Sequence, residues 1–299
     1  MLRFALAALL CAGSASGLDA QQVPGRDLLE FQVGTIGEPP ALAHLAGDGF
    51  WNPASIALPV TARARVSAAT LHTPAAQAVS AQMLSASVHV PGATTVAVGI
   101  VRAEVSDLLR TDTDPQTIGE IPYNTTVASI SVARRHEAFL VGLALRYRHG
   151  EADQERRGAL GLDAGVMVTE LLGSDRVRFG ASTFLWRPGG NGSARKVRFN
   201  LASDVRLAGA DSVREARAGY ALSFGDDRGH EHFGSVSGRY GAFEGRAGVA
   251  RNSAFGHTDW RLRLGLGLHY ARYTIGVARE ENGAGLPPIY QFTLSALWQ

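Results

Sequence analysis

The chain has 299 residues, 29 Lys and Arg against 27 Asp and Glu, and one cysteine. A net charge this close to neutral excludes the broad basic field that holds nucleic acid, so no nucleic-acid partner is expected. A lone cysteine, Cys11, excludes an internal disulfide and a thiolate metal site, and no cofactor is expected.

In chain order, residues 1–20 read as a secretory signal peptide. Met1-Leu2-Arg3 is a short positive start, Phe4 to Ala12 is apolar, and the small residues Gly13 to Gly17 follow. Cleavage is expected after Gly17 or after Ala20. No later run approaches the length of a membrane-spanning helix. Residues 21–60 carry Gly34, Gly37, Pro39, Pro40, Gly47, Gly49, Pro53 and Pro59 with little alternation. They read as a non-barrel segment with short helical turns.

From residue 61 to 299 the dominant signal is period-two alternation, the mark of a strand with two unlike faces. Candidate strands fall near 62–72, 79–90, 94–105, 125–135, 138–148, 158–169, 175–187, 195–207, 213–224, 231–240, 242–252, 259–270, 272–280 and 287–298. The clearest is Trp260-Arg261-Leu262-Arg263-Leu264-Gly265-Leu266-Gly267-Leu268-His269-Tyr270. Its even positions are four leucines bracketed by aromatics; its odd positions are Arg, Gly and His. An apolar band about ten residues long with aromatic ends suits a tilted strand crossing a bilayer. The same two faces recur in 138–148, where Leu140 is an apolar exception on the polar side, and in 195–207 and 213–224. The alternating stretch from Tyr290 to Trp298 suits a closing strand, because closure removes the unpaired edge. Connections 106–124, 149–157, 188–194, 225–230 and 281–286 read as longer polar loops, and several others, such as Arg135-His136-Glu137 and Arg239-Tyr240-Gly241, as short turns. The predicted fold is all-β: a transmembrane antiparallel β-barrel of about fourteen strands with an N-terminal hatch segment.

Several residues could carry function. Arg146, Arg198, Arg206, Arg217, Arg261 and Arg263 fall on the inferred lumen face. They are either an anion-attracting lining or structural partners of Glu215, Glu244, Asp163 and Asp204, since buried charge needs compensation. His230-Glu231-His232 places two histidines on one strand face, but the flanking 226–229 run reads as an exposed loop, so no metal is expected. No nucleophile elbow, phosphate loop or His-Glu-x-x-His run occurs, and no catalytic residue is expected.

The stretch Asp48-Gly49-Phe50-Trp51-Asn52-Pro53-Ala54-Ser55-Ile56-Ala57 resembles the Trp-Asn-Pro-Ala-Gly-Leu-Ala motif near the start of the FadL-like outer-membrane family. Trp51, Asn52, Pro53 and Ala54 carry the match; Ser55 stands where glycine is commoner. Residues Arg110-Thr111 through Ile118-Gly119-Glu120, with Ala133-Arg134-Arg135, are similar to the PorV-like branch. The resemblance implies a fourteen-stranded barrel in the bacterial outer membrane, bathed in outer-membrane lipid, whose residues 21–60 fold inward as a hatch. It implies a PorV/PorQ-like protein acting in surface attachment or secretion, with secreted proteins or secretion machinery as partners. The alternative is a FadL-like passive transporter of a hydrophobic or amphipathic small molecule, and a further alternative is an anion-preferring porin. The chain's modest loops favour the first of these.

Overall fold

The computed structural model describes residues 23–43, 48–58, 63–74, 78–111, 116–170, 174–187, 197–211, 214–225, 229–254, 257–282 and 287–298. The predicted signal peptide lies outside them. Sixteen strands form: β1 (Ala64–His72), β2 (Val79–Val90), β3 (Thr94–Val105), β4 (Leu109–Thr111), β5 (Thr117–Glu120), β6 (Tyr123–His136), β7 (Phe139–Ala152), β8 (Glu155–Val168), β9 (Val177–Phe184), β10 (Arg198–Asp211), β11 (Arg214–Gly225), β12 (His230–Tyr240), β13 (Phe243–Ala254), β14 (His257–Tyr270), β15 (Tyr273–Asn282) and β16 (Ile289–Trp298). All but β4 and β5 close into one antiparallel barrel of fourteen strands. Every barrel strand predicted from alternation has its counterpart. Closure runs from Ala64↔Trp298 to His72↔Tyr290, so no sheet edge is left at the ends of the chain.

The alternation explains the register. Along β14 the leucines and their aromatic brackets face outward, with Leu266 65% and Tyr270 75% exposed, while Arg263 on the opposite face is 2% exposed. A one-residue slip would put every arginine in lipid and every leucine in the lumen. An aromatic girdle including Phe139, Tyr240, Phe243, Tyr270, Tyr273 and Trp298 rings the end with tight turns. Tyr147, Tyr220, Trp260 and Tyr290 stand toward the loop end.

Two connections differ from expectation. Residues 149–157 are not a loop: β7 and β8 continue as one ladder to Ala152↔Glu155, around a turn at Asp153 and Gln154. Their polarity marks a hairpin tip standing beyond the apolar band, not departure from the sheet. The 106–124 connection contains the β4–β5 hairpin, and Arg110 of that hairpin makes an ion pair with Asp153 at the β7–β8 tip.

Residues 23–43 and 48–58 lie in the lumen, from the loop end toward the turn end. Pro24 packs against Gly150 and Gly25 against Asn124 at the loop end, Pro53 packs against Gly142 deeper in, and Arg63 donates to the Trp298 carbonyl (2.7 Å) where β1 begins. Prolines and glycines keep this segment to short turns, Asp27–Glu30, Pro40–Leu42, Asp48–Trp51 and Pro53–Ala57. The hydrophobic core therefore sits inside the barrel. Leu28, Leu29, Val33 and Ile36 pack on Leu71, Met83, Val101 and Val127. Ala54 and Ile56 pack with Leu140 and Met167. Leu140, the apolar exception on a polar face, is fully buried beneath this segment.

Candidate functional site

The wall is not paired uniformly. β8 pairs with β7 along its whole length, from Phe139↔Val168 to Ala152↔Glu155. Its ladder with β9 runs only from Val168↔Phe179 to Gly165↔Ser182. Above that point Ala164 donates its N–H to the Thr183 hydroxyl (2.9 Å), and Leu162 donates to the Trp186 carbonyl (2.8 Å). Among the described residues no strand pairs with this edge of β8 from Glu155 to Gly161. Leu185 has a positive φ of 56°, the left-handed region that a leucine adopts only when its surroundings hold it there, and it breaks the regular ladder while Trp186 stays bonded to β8. Among the described residues this leaves a seam in the loop-side half of the wall.

Asp163 stands at the end of the seam. Its carboxylate accepts the Trp186 N–H at 3.0 Å, replacing the ladder bond that β9 no longer makes, and forms an ion pair with Arg146. Both side chains are fully buried. The Arg146 guanidinium also donates to the Phe50 carbonyl and lies 4.5 Å from the Phe50 ring centre and 5.2 Å from that of Phe184. Trp51 stacks on Phe184 at 4.7 Å, and Phe50 meets Phe184 edge-on at 5.3 Å. The seam is thus backed by an aromatic and cationic cluster drawn from the lumen segment and three strands.

Trp51, Asn52, Pro53 and Ala54 hold that segment at this place. Trp51 donates its indole N–H to Val33 (3.0 Å), and its carbonyl accepts the Ser182 hydroxyl (2.9 Å). Asn52 uses its whole side-chain amide: Oδ1 accepts from Ala54 (3.0 Å), and Nδ2 donates to Ala41 (2.7 Å) and to Val166 of β8 (3.3 Å). Pro53 opens the following turn where no donor is needed. The wall matches this backbone with glycines. A methyl group at Gly142 would overlap the Pro53 carbonyl, and one at Gly165 would overlap the Asn52 side-chain oxygen.

All six singled-out arginines lie on the inward face. Arg146 pairs with Asp163, Arg206 with Asp175 and Glu215, and Arg217 with Asp204 and Glu215. Arg261 pairs with Asp259 and Glu280. Arg263 grips both Glu231 oxygens, at 3.0 and 3.1 Å, and also pairs with Glu280. Arg198 lines a cavity of about 60 Å³ at the loop end together with Glu231. Outside the spanning strands, hydrogen bonds from Arg206 hold the Asp175 carboxyl below the usual range. Lumen charge is therefore largely neutralised in place, and the interior is filled. The lumen segment adds links of its own: Glu38 pairs with Arg246, and Gln32 donates to Glu231 (3.1 Å).

Phe184 and Glu38 belong to this interior and were not singled out from the sequence. Phe184 carried a signal, an aromatic on the polar face of its strand; Glu38 carried none. His230 and His232 point away from Glu231 and meet each other edge-on at 5.0 Å, and His232 bonds Tyr220.

A closed barrel, apolar outside, charged within and filled by its own N-terminal segment, defines a transmembrane β-barrel. No family model and no curated protein sequence matches this chain. Among solved structures, the CymD monoaromatic hydrocarbon channel is similar over 90% of this chain and 99% of its own, with 11% identity and a TM-score of 0.58. The TodX deltaS2S3 mutant monoaromatic hydrocarbon channel is similar over 88% and 96%, with 9% identity and a TM-score of 0.60. At such identity the likeness establishes the fold alone.

Proposed function

We propose that this chain is a passive channel for small hydrophobic molecules in a bacterial outer membrane, with residues 23–58 as its hatch. The observation that carries the reading is the seam between β8 and β9, backed by Phe50, Trp51 and Phe184. A hydrophobic solute gains nothing from an aqueous pore. It needs a route from an apolar pocket into lipid, and a stretch of wall that no described strand pairs, next to aromatic side chains, supplies one. Displacing the Phe50–Trp51 turn would open space against Phe184 without breaking the rest of the barrel. The similar hydrocarbon channels support this class of solute. An anion-preferring porin fits less well, because the lumen is filled and five of the six singled-out arginines are paired. Attachment of secreted proteins finds no comparable feature among the described residues of the loop end.

The test locks the seam. With Cys11 lying in the leader, Leu162→Cys with Trp186→Cys adds one cross-link to an otherwise cysteine-free mature barrel. Uptake of a labelled monoaromatic hydrocarbon should exceed that of cells lacking the protein, fall to that background when the pair is oxidised, and return on reduction. Uptake at background in the unmodified protein, or unchanged on oxidation, overturns the proposal.

A further inference from the structure

The outer face carries a second feature, remote from the seam. Across β12 to β16 the wall is hollowed into a groove of about 720 Å³, lined on the lipid side by Gly238, Gly245, Leu264, Leu266, Val277 and Phe292. A second hollow of about 620 Å³ continues it toward the turn end, ending at Tyr240 and Phe243. The floor is low because Gly238 and Gly245 face each other across the ladder, with no atom within 4 Å of the place a Gly245 side chain would occupy. The flanking residues are bulky, so the hollow is a channel in an otherwise convex surface.

The upper lip is not apolar. Arg279 points outward from β15, and its guanidinium lies 5.5 Å from the Tyr290 ring on β16. Arg279 lies opposite Leu264 and Tyr290 in the ladder, and its guanidinium reaches up the strand to Glu281, opposite Leu262, so the cation stands at the upper edge of the leucine band, above the glycine floor. Glu281 pairs with Arg279 at an exposed position, with the two side chains 46% and 40% exposed, which leaves guanidinium donors for a further acceptor. A cation at the interface above an apolar furrow matches an amphiphile with an anionic head. We propose that the groove seats one anionic phospholipid, its phosphate at Arg279 and an acyl chain along Gly245 and Gly238. The site is separate from the hatch and the seam, and the proposal stands whatever the channel carries.

The test is native mass spectrometry of the full mature protein released from bilayers of phosphatidylglycerol and phosphatidylcholine. Three variants join it: Gly245→Trp, which fills the floor; Arg279→Gln, which removes the cation; and Gly234→Trp, which places the same bulk on the outer face of β12 outside the groove. Each is first shown to be folded by its heat-sensitive gel mobility. The expected result is one retained phosphatidylglycerol in the unmodified protein and in Gly234→Trp. Retention should fall at least tenfold in Gly245→Trp and in Arg279→Gln. Equal retention in Gly245→Trp overturns the proposal. So does equal retention of the two lipids, which would mean an unselective apolar annulus. A dimer abolished by Gly245→Trp, with no lipid retained, also overturns it and makes a second copy the occupant.

Discussion

Phe184 is the last residue of β9 to pair with β10, and it is also the residue on which Trp51 stacks at 4.7 Å. One side chain therefore ends a wall strand and anchors the segment that fills the lumen. Leu185 breaks the ladder immediately afterwards, so one ring meets both the lumen segment and the edge of the seam.

That shared contact predicts the effect of Phe184→Ala. Removing a buried aromatic ring costs about 3–5 kcal/mol where the site cannot collapse. Denaturant unfolding in vesicles should show the loss. Because the ring contacts the lumen segment proposed as the hatch, hydrocarbon uptake should change as well, whereas a substitution of Phe233, buried against Arg263 away from the seam, should cost stability alone.

Asn52→Ala removes a hydrogen-bonding group from two buried partners, Ala54 and Ala41, and from the half-buried Val166. Each buried group left without a partner costs about 1–3 kcal/mol, so the variant should be several kcal/mol less stable and its lumen segment open to added protease. A segment that stays protected would show that packing alone holds it.

Arg146→Met leaves Asp163 charged and buried with no counter-ion, a change that costs about 3–5 kcal/mol. Adding Asp163→Asn removes the charge while keeping an acceptor for Trp186. The double variant should recover most of the lost stability. Failure to recover would place the importance of Arg146 in its contact with the Phe50 carbonyl and ring.

Deleting residues 23–58 uncovers a lumen lined by paired charges. Planar-bilayer recordings should show a closed full-length chain and a conducting truncated one. A full-length protein that conducts steadily would reinstate the open porin and remove the hatch.

Much of the barrel was legible in the sequence because the strand signal is local. Alternation in Trp260–Tyr270 or Phe139–Tyr147 is enforced by the pleat itself and by two unlike solvents. Where the pattern changed meaning it misled: Glu151, Arg156 and Arg157 looked like a loop because a hairpin tip in water is polar on both faces. The site was legible only in fragments. Asn52 and Pro53 stood out as a motif and Arg146 as a lumen charge, but nothing near Glu38 in the chain reveals Arg246, 208 residues away.

The sequence by itself determined that the chain is a barrel and which face of each strand meets lipid. Tertiary structure decided what fills the lumen, which carboxylate neutralises each arginine, and that β8 and β9 part above Gly165. The reason is physical: strand faces follow from a two-residue repeat, whereas pairing across a lumen and the loss of a ladder depend on residues brought together only when the sheet closes.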